Sequence, residues 1–427
     1  MEAAAPEKVI RHSHSLGPGE KEYVHKRKQK VLEALKKLKV ECDANNVPSI
    51  ALLGSGGGQR ADVSLMGTLY QMEKEGLLDT LVYVGGLSGS TWCMSSVYND
   101  PEWSSNMDRA MSRLFRPGIE MKQAVDWLCE QMNDEDFSLS DVWGALTSVE
   151  FIKEVPGEKH RHTFTPNIAT NICRKWFELS PHEAGFTELG FFIETSLLGS
   201  KFKNGKLLEK KPEMDMVKLE GVCSQAHFIL MRCFCTFLFV TAKLVGKILW
   251  LIWYWVWGTT ENFLYQDRTA PTYLSSNERF HLMDAGLLMN VPYPAFLGDK
   301  RDIDLIIAPD YSAGKAFEVK DYAAEVKKPF PEIDDKILKE RDWPKDCYVF
   351  EGKEKEPTIV YMPLFNRRNC KDAEEVKAKM DKFSTFQRPY KREKIESLLE
   401  IVKANVKNNK GTLLKEINKA VRRREKK

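Results

Sequence analysis

Two short glycine-bearing loops, each following an apolar run, constrain this chain more than any other feature. The first is Gly54-Ser55-Gly56-Gly57-Gly58-Gln59-Arg60, after Ser49-Ile50-Ala51-Leu52-Leu53. The second is Gly86-Leu87-Ser88-Gly89-Ser90, after Leu81-Val82-Tyr83-Val84. Apolar runs of this length that end at glycine read as buried strands. Between them Leu65, Leu69 and Met72 recur at i, i+4 and i+7, and Gly76 supplies a stop, so the spacing predicts a helix. Strand, helix and strand make one βαβ unit over about 48–98, which puts both loops at the same edge of a parallel sheet. One loop offers backbone N–H groups, the other a serine at a sharp strand-to-helix turn. Those are parts of an acyl-transfer site.

Acyl transfer needs a nucleophile, a base and donors for the developing oxyanion. Ser88 is the nucleophile candidate, with Gly86 and Gly89 permitting the tight turn that exposes its hydroxyl. The segment departs from Gly-x-Ser-x-Gly at its fifth position, Ser90, and taken alone would also suit an ordinary glycine turn. Gly56, Gly57 and Gly58 can present adjacent N–H groups to a carbonyl oxygen. A nucleotide phosphate loop is the competing reading. Against it, the third glycine of the dinucleotide fingerprint is missing and no Gly-Lys-Ser/Thr follows. Arg60 opens the helix, where an arginine either binds phosphate or makes a surface ion pair. For the base, His281 stands in a strand-end context and Asp284 follows it by three residues at a strand-to-turn junction. A Ser-Asp dyad and a Ser-His-Asp triad fit the residues equally well.

The composition narrows the class. Of 427 residues, 43% are hydrophobic and 29% charged, and the formal charge of +3 gives no nucleic-acid signal. No apolar signal-peptide core is visible in Met1–Lys30, and the nine scattered cysteines lack a Cys-x-x-Cys, so reduced thiols in the cytosol are expected. The pairs His12/His14 and His160/His162 lack further ligands at zinc spacing and read as solvated loop histidines, so no metal is called.

Residues 1–22 read as a flexible tail and Glu22–Glu41 as a basic amphipathic helix with Val31, Leu35 and Leu38 on one face. After the βαβ unit, a mostly helical and irregular stretch is expected to about 215, with Trp176-Phe177-Glu178-Leu179-Ser180-Pro181 a strand running into a turn. A second sheet portion is expected from Arg279, including Phe280–Met283 and Asp304–Ala308. Residues 325–357 look like a charged surface excursion, and helical spacing resumes from about 393.

Phe228–Trp257 is unusually apolar and aromatic, interrupted by Arg232, Lys243 and Lys247, which share one helical face. The reading taken forward is a helix lying in the bilayer interface, with those cations toward headgroups and Trp250, Trp253 and Trp257 at the boundary. A buried core helix with snorkelling lysines is the alternative. Neither half has the roughly 20 uncharged apolar residues of a spanning helix.

The motifs resemble those of the cytosolic phospholipase A2 family (group four), whose catalytic domain is patatin-like. Gly54-Ser55-Gly56-Gly57-Gly58-x-Arg60-Ala61 is similar to the family's oxyanion loop, and Gly86-Leu87-Ser88-Gly89-Ser90-Thr91-Trp92 to its nucleophile segment, Ser90 included. Asp284-Ala285-Gly286 with Asn290 and Pro292 resembles the catalytic aspartate segment; Gly199-Ser200-Lys201-Phe202 and Asp310-Tyr311-Ser312-Ala313-Gly314 are further landmarks. The likeness runs from about 30 to 400. It implies an α/β fold related to the α/β-hydrolases, with a central, mostly parallel sheet and helical insertions.

It also implies a Ser88–Asp284 dyad, an oxyanion site at Gly57 and Gly58, and Arg60 on the substrate phosphate. His281 is then left with a structural role. The implied function is a phospholipase A2 and lysophospholipase working on phospholipid membranes without a cofactor, through an acyl-enzyme that water or a second lysophospholipid resolves. Only about 45 residues precede the first motif strand, too few for a C2 module, so calcium-independent action is expected. The C-terminal Arg424-Glu425-Lys426-Lys427 lacks a prenylation box. The expected organisation is a flexible tail over 1–29, the catalytic domain over 30–405 and a basic C-terminal tail over 406–427. Placement on the cytosolic face of internal membranes follows, the endoplasmic reticulum and nuclear envelope among them. A catalytically silent membrane-binding protein that keeps the fold is the alternative function.

Overall fold

The computed structural model describes residues 9–98, 100, 102–153, 170–172, 175–215, 218, 219, 221, 242–254, 258–314, 320, 329–385, 387 and 389–426. In chain order the elements are β1 (Arg11–His12), α1 (Pro18–Lys37), β2 (Ile50–Gly54), α2 (Gln59–Lys74), β3 (Tyr83–Gly86), α3 (Gly89–Tyr98) and α4 (Met107–Ser112). They continue with α5 (Met121–Gln131), α6 (Leu139–Thr147), β4 (Thr170–Ile172), β5 (Lys175–Leu179), β6 (Glu183–Phe186), β7 (Phe191–Glu194), β8 (Lys201–Lys203), β9 (Lys206–Glu209) and α7 (Ala242–Tyr254). The last are β10 (Thr259–Glu261), β11 (Arg279–His281), β12 (Leu305–Asp310), β13 (Tyr348–Phe350), β14 (Thr358–Pro363), α8 (Ala373–Lys382) and α9 (Arg392–Arg424). They form two compact units, one from 15–116 and 286–427, the other mainly from 1–14, 117–164 and 168–285.

In the first unit the sheet runs β13-β14-β12-β2-β3. The pairs β14–β12, β12–β2 and β2–β3 are parallel, and β13 closes one edge antiparallel. Every residue of β2 and β3 is buried, which is why both read as unbroken apolar runs rather than alternating ones. The βαβ unit and the helix stop near Gly76 are as the spacing predicts.

The expected basic tail over 406–427 is instead the second half of α9, with Val406, Leu413, Ile417, Ala420 and Val421 buried at helical spacing. Its charge composition hides an apolar stripe. The helix packs on α2, and Gly67 allows that approach: a Cβ there would lie 3.1 Å from Leu399 and Val402 side-chain carbons. At its far end Arg424 binds Asp304 at 2.5 Å and Asp302 at 2.7 Å.

The expected flexible tail over 1–29 is likewise ordered over its described part, residues 9–29. Pro18 opens α1, whose Val31, Ala34 and Leu35 are buried. Glu20 forms a two-point, fully buried ion pair with Arg301, at 2.7 and 3.1 Å. The supposed surface excursion over 325–357 contributes β13 to the main sheet.

In the second unit an antiparallel sheet runs β1-β7-β6-β5-β4. Its face packs Phe177, Phe186, Phe202, Phe263 and Phe280 into an aromatic core whose rings meet mostly edge to face. The sequence reading has only β5 here and expects helical, irregular chain; these strands are two to five residues long, too short for period-two alternation to register. Phe280 belongs to β11, paired with β10 in a separate ribbon rather than with the parallel sheet. His12 is in β1, stacked on Phe191, not in a loop; His160 and His162 lie outside the described residues.

Candidate active site

The first unit brings the two glycine-bearing loops into direct contact. The residue after β2 is Ser55, whose hydroxyl accepts the Tyr311 N–H at 2.7 Å. Gly56 donates its N–H to the Asn290 carbonyl at 2.8 Å. Gly57 (φ 142°) and Gly58 (φ 58°) then adopt backbone conformations that side chains rarely take, and Gly58 is the N-cap of α2. A Cβ on Gly57 would lie 2.8 Å from the Tyr311 carbonyl oxygen. Among the described residues neither Gly57 nor Gly58 gives its N–H to a partner. Both N–H groups stand at the first turn of α2, where the helix dipole adds positive potential.

On the second loop Ser88 is a non-glycine residue at φ 50°, half-buried, with α3 beginning at the next residue. Such a conformation costs on the order of 1–3 kcal/mol and persists where the surroundings enforce it. The surroundings are on hand: Thr91 donates to the Ser88 carbonyl through its N–H and its hydroxyl, at 2.8 and 2.5 Å. A Cβ on Gly56 would lie 3.3 Å from the Ser88 Cβ, so the nucleophile candidate and the N–H loop are neighbours. Gly89 permits that closeness, since a Cβ there would fall 2.0 Å from the Gly58 carbonyl oxygen. Ser90 accounts for the departure from glycine at the fifth motif position: its hydroxyl donates to the Ser55 carbonyl at 2.6 Å and ties one loop to the other.

Arg60 is placed otherwise than the sequence reading held. Its side chain is fully buried, with Nε donating to the Tyr311 carbonyl at 2.6 Å, Nη1 to the Phe383 carbonyl at 2.7 Å and Nη2 to the Thr385 hydroxyl at 3.3 Å. Burial pulls the guanidinium below its ordinary pKa, while Tyr390 and Asp310 oppose the shift. Its donors are directed to the protein, not toward solvent or a substrate phosphate. Arg60 is a clamp beneath Gly57, joining the loop to Tyr311 and to the segment that links α8 and α9. Gln59 adds a second tie to that segment by accepting the Tyr390 N–H at 2.7 Å. The sequence held no local signal for these partners, which follow by 250 residues or more.

Asp284 and His281 belong to the second unit. Asp284 is buried, 6% exposed, just before a 3₁₀ turn at Ala285–Leu287. His281 ends β11, exposed, with Nδ1 3.4 Å from the Thr259 hydroxyl.

In the same unit α7 buries Leu244, Ile248 and Leu251, at i, i+4 and i+7, and packs on α6. Its other face leaves Leu249 52% and Trp250 49% exposed, with the Lys247 ammonium 5.3 Å from the Trp250 ring centre. One face of the helix is thus buried as the core reading expects, and the other is exposed. Arg232 and Trp257 lie outside the described residues, as do the side chains of Lys243 and Trp253. No described helix is long and apolar enough to cross a membrane.

Comparison with known proteins bears on this geometry. Residues 50–166 match the model of a lysophospholipase catalytic domain. The chain is 29% identical to human cytosolic phospholipase A2 gamma, over 93% of this chain and 94% of that protein. It is 27% identical to the mouse protein of the same name, over 95% and 91%. Its fold is similar to that of human GIVD cytosolic phospholipase A2, with a TM-score of 0.82 at 23% identity, covering 99% of this chain and 69% of that one. A complex of that protein with methyl gamma-linolenyl fluorophosphonate gives a TM-score of 0.78 at 24% identity. The chain is thus an enzyme of phospholipase type, similar along most of its length to the cytosolic phospholipases A2, with a patatin-like α/β fold.

Proposed function

We propose that this enzyme hydrolyses fatty-acyl esters of phospholipids and lysophospholipids through a Ser88–Asp284 dyad, without calcium. The observation that carries the reading is Ser88, held at positive φ beside the Gly57–Gly58 N–H groups. The Ser88 Oγ attacks the ester carbonyl and its proton passes to Asp284. The carbonyl oxygen becomes an oxyanion, stabilised by the Gly57 and Gly58 N–H donors. Collapse breaks the bond to the glycerol oxygen, which leaves with the proton from Asp284, and Ser88 is left acylated. Water, deprotonated by Asp284, attacks the acyl-enzyme and releases the fatty acid. A second lysophospholipid in place of water gives acyl transfer. His281 takes no part. The exposed Leu249–Trp250 face of α7 rests on the membrane interface and brings the enzyme to lipid on the cytosolic face of internal membranes.

The test is a mass-resolved product assay on mixed-chain phosphatidylcholine vesicles in excess chelator. Fatty acid and lysophospholipid are expected from the wild type. Ser88→Ala and Asp284→Asn are each expected to lose at least a thousandfold with the fold intact, since the two act as a unit. Ser88→Ala activity within tenfold of wild type overturns the assignment, and a folded wild type with no turnover on any ester favours the silent membrane-binding protein. A large loss in His281→Ala restores the triad.

A further inference from the structure

The chain between α8 and α9, to which Arg60 and Gln59 are tied, also walls an open pocket of about 530 Å³. Lys382, Gln387, Pro389, Tyr390, Lys391, Glu393 and Lys394 line it, three cations against one carboxylate. Among the described residues none of the three lysines makes an ion pair. The Lys394 ammonium lies 4.1 Å from the Tyr390 ring centre and 5.5 Å from that of Phe383, while Lys382 lies 5.1 Å from the same Phe383 ring. Two ammonium groups therefore lie near one aromatic ring with no carboxylate paired to either, and the Lys394 ammonium donates to the neutral Gln387 side-chain oxygen. Burial, and then the Lys382 charge, hold the Lys394 amine below its ordinary pKa. Lys391 stands at the N-cap of α9, a 33-residue helix whose first turn has no side-chain cap.

We propose that this pocket is a phosphomonoester site, in which Lys382, Lys391 and Lys394 together hold a doubly charged phosphate. A dianion there offsets the repulsion between the two lysines on Phe383 and meets the positive end of α9. The same segment supplies the Phe383 carbonyl and Thr385 hydroxyl that clamp Arg60, and a Cβ on Gly58 would lie 3.1 Å from Thr385. The bound phosphate therefore braces the wall on which the N–H loop rests, at a place apart from the ester. The proposal concerns binding and stands whether or not the dyad reading does.

Its source is a lipid headgroup or a soluble metabolite, and the measurement has an arm for each. Full-length protein is co-sedimented at 0.15 M salt with phosphatidylcholine vesicles carrying phosphatidic acid, or phosphatidylserine at matched surface charge. Separately, its thermal midpoint is followed with glycerol 3-phosphate. A lipid source gives about tenfold tighter binding to the phosphatidic acid vesicles. A soluble source gives a rise in midpoint with glycerol 3-phosphate. Either response is expected to vanish in Lys382→Gln/Lys391→Gln/Lys394→Gln. The double variant Lys382→Gln/Lys391→Gln touches only exposed side chains and serves if the triple variant does not fold. A wild type that shows neither response overturns the site, as does a folded double variant that keeps the wild-type response in full.

Discussion

Replacing Arg60 by alanine separates the clamp from the phosphate ligand that the sequence suggested. The side chain makes two short charge-assisted hydrogen bonds to backbone carbonyls, at 2.6 and 2.7 Å, and a longer one at 3.3 Å. Bonds of the first kind contribute roughly 1.5–3 kcal/mol each, and their loss leaves the Tyr311 and Phe383 carbonyls without that donor. Arg60→Ala is therefore expected to cost about 3–6 kcal/mol and to lower the unfolding midpoint by roughly 3–7 °C. The loop then loses its support at Gly57, so ester turnover falls whatever the substrate. The assay measures kcat/KM on phosphatidylcholine and on a neutral soluble ester of equal chain length, beside thermal unfolding. Equal losses on both esters with a lowered midpoint are expected. Arg60→Lys should recover only part, because an ammonium cannot reproduce the planar fork that reaches both carbonyls. An unchanged midpoint with the loss confined to the phosphate-bearing substrate refutes the clamp.

Gly89→Ala forces a Cβ to 2.0 Å from the Gly58 carbonyl oxygen, so turnover should fall at least a hundredfold while circular dichroism stays near wild type. Asp141, capping α6, is buried and its pKa is raised by that burial to about 6, against an ordinary 3.8. The folded state holds its proton more tightly than the unfolded chain, so this residue's contribution falls as pH rises from about 4 through 6. Asp141→Asn keeps the cap without the titration and should gain roughly 3 kcal/mol on the wild type between pH 4 and 7, read from denaturant midpoints. Leu249→Ser/Trp250→Ser alters only the exposed face of α7 and should weaken vesicle binding severalfold without lowering the midpoint; unaltered binding removes that face from the membrane.

The two glycine-bearing loops were legible because their signal is local. Strand, glycine turn and helix lie within some forty residues, and Ser88 and Gly58 take the unusual backbone that their neighbours imply. What sequence could not give is who stands across from whom. Arg60 looked like a ligand for phosphate because a guanidinium at a helix start offers five donors, and nothing nearby reveals that carbonyls at 311 and 383 take two of them. The end of the chain misled for a different cause. Its basic residues outnumber its apolar ones, yet Val406, Leu413, Ile417 and Val421 recur at helical spacing, and burial follows that spacing rather than mean charge.

The strand order of the central sheet bears on how the polypeptide is made. β2 lies between β3 and β12, yet β12 follows β3 by about 220 residues in the chain. At ordinary elongation rates of about 5–20 residues per second, one hydrogen-bonding edge of a fully apolar strand waits roughly 10–45 s for its neighbour. During that interval the nascent chain exposes an unpaired strand edge, a template for misassociation. The carbonyls that fix Arg60 emerge later still, from beyond β12 and beyond β14. The anchors of the Gly57–Gly58 loop are therefore complete only when nearly the whole chain has been made, so the loop takes its final form among the last parts of the molecule.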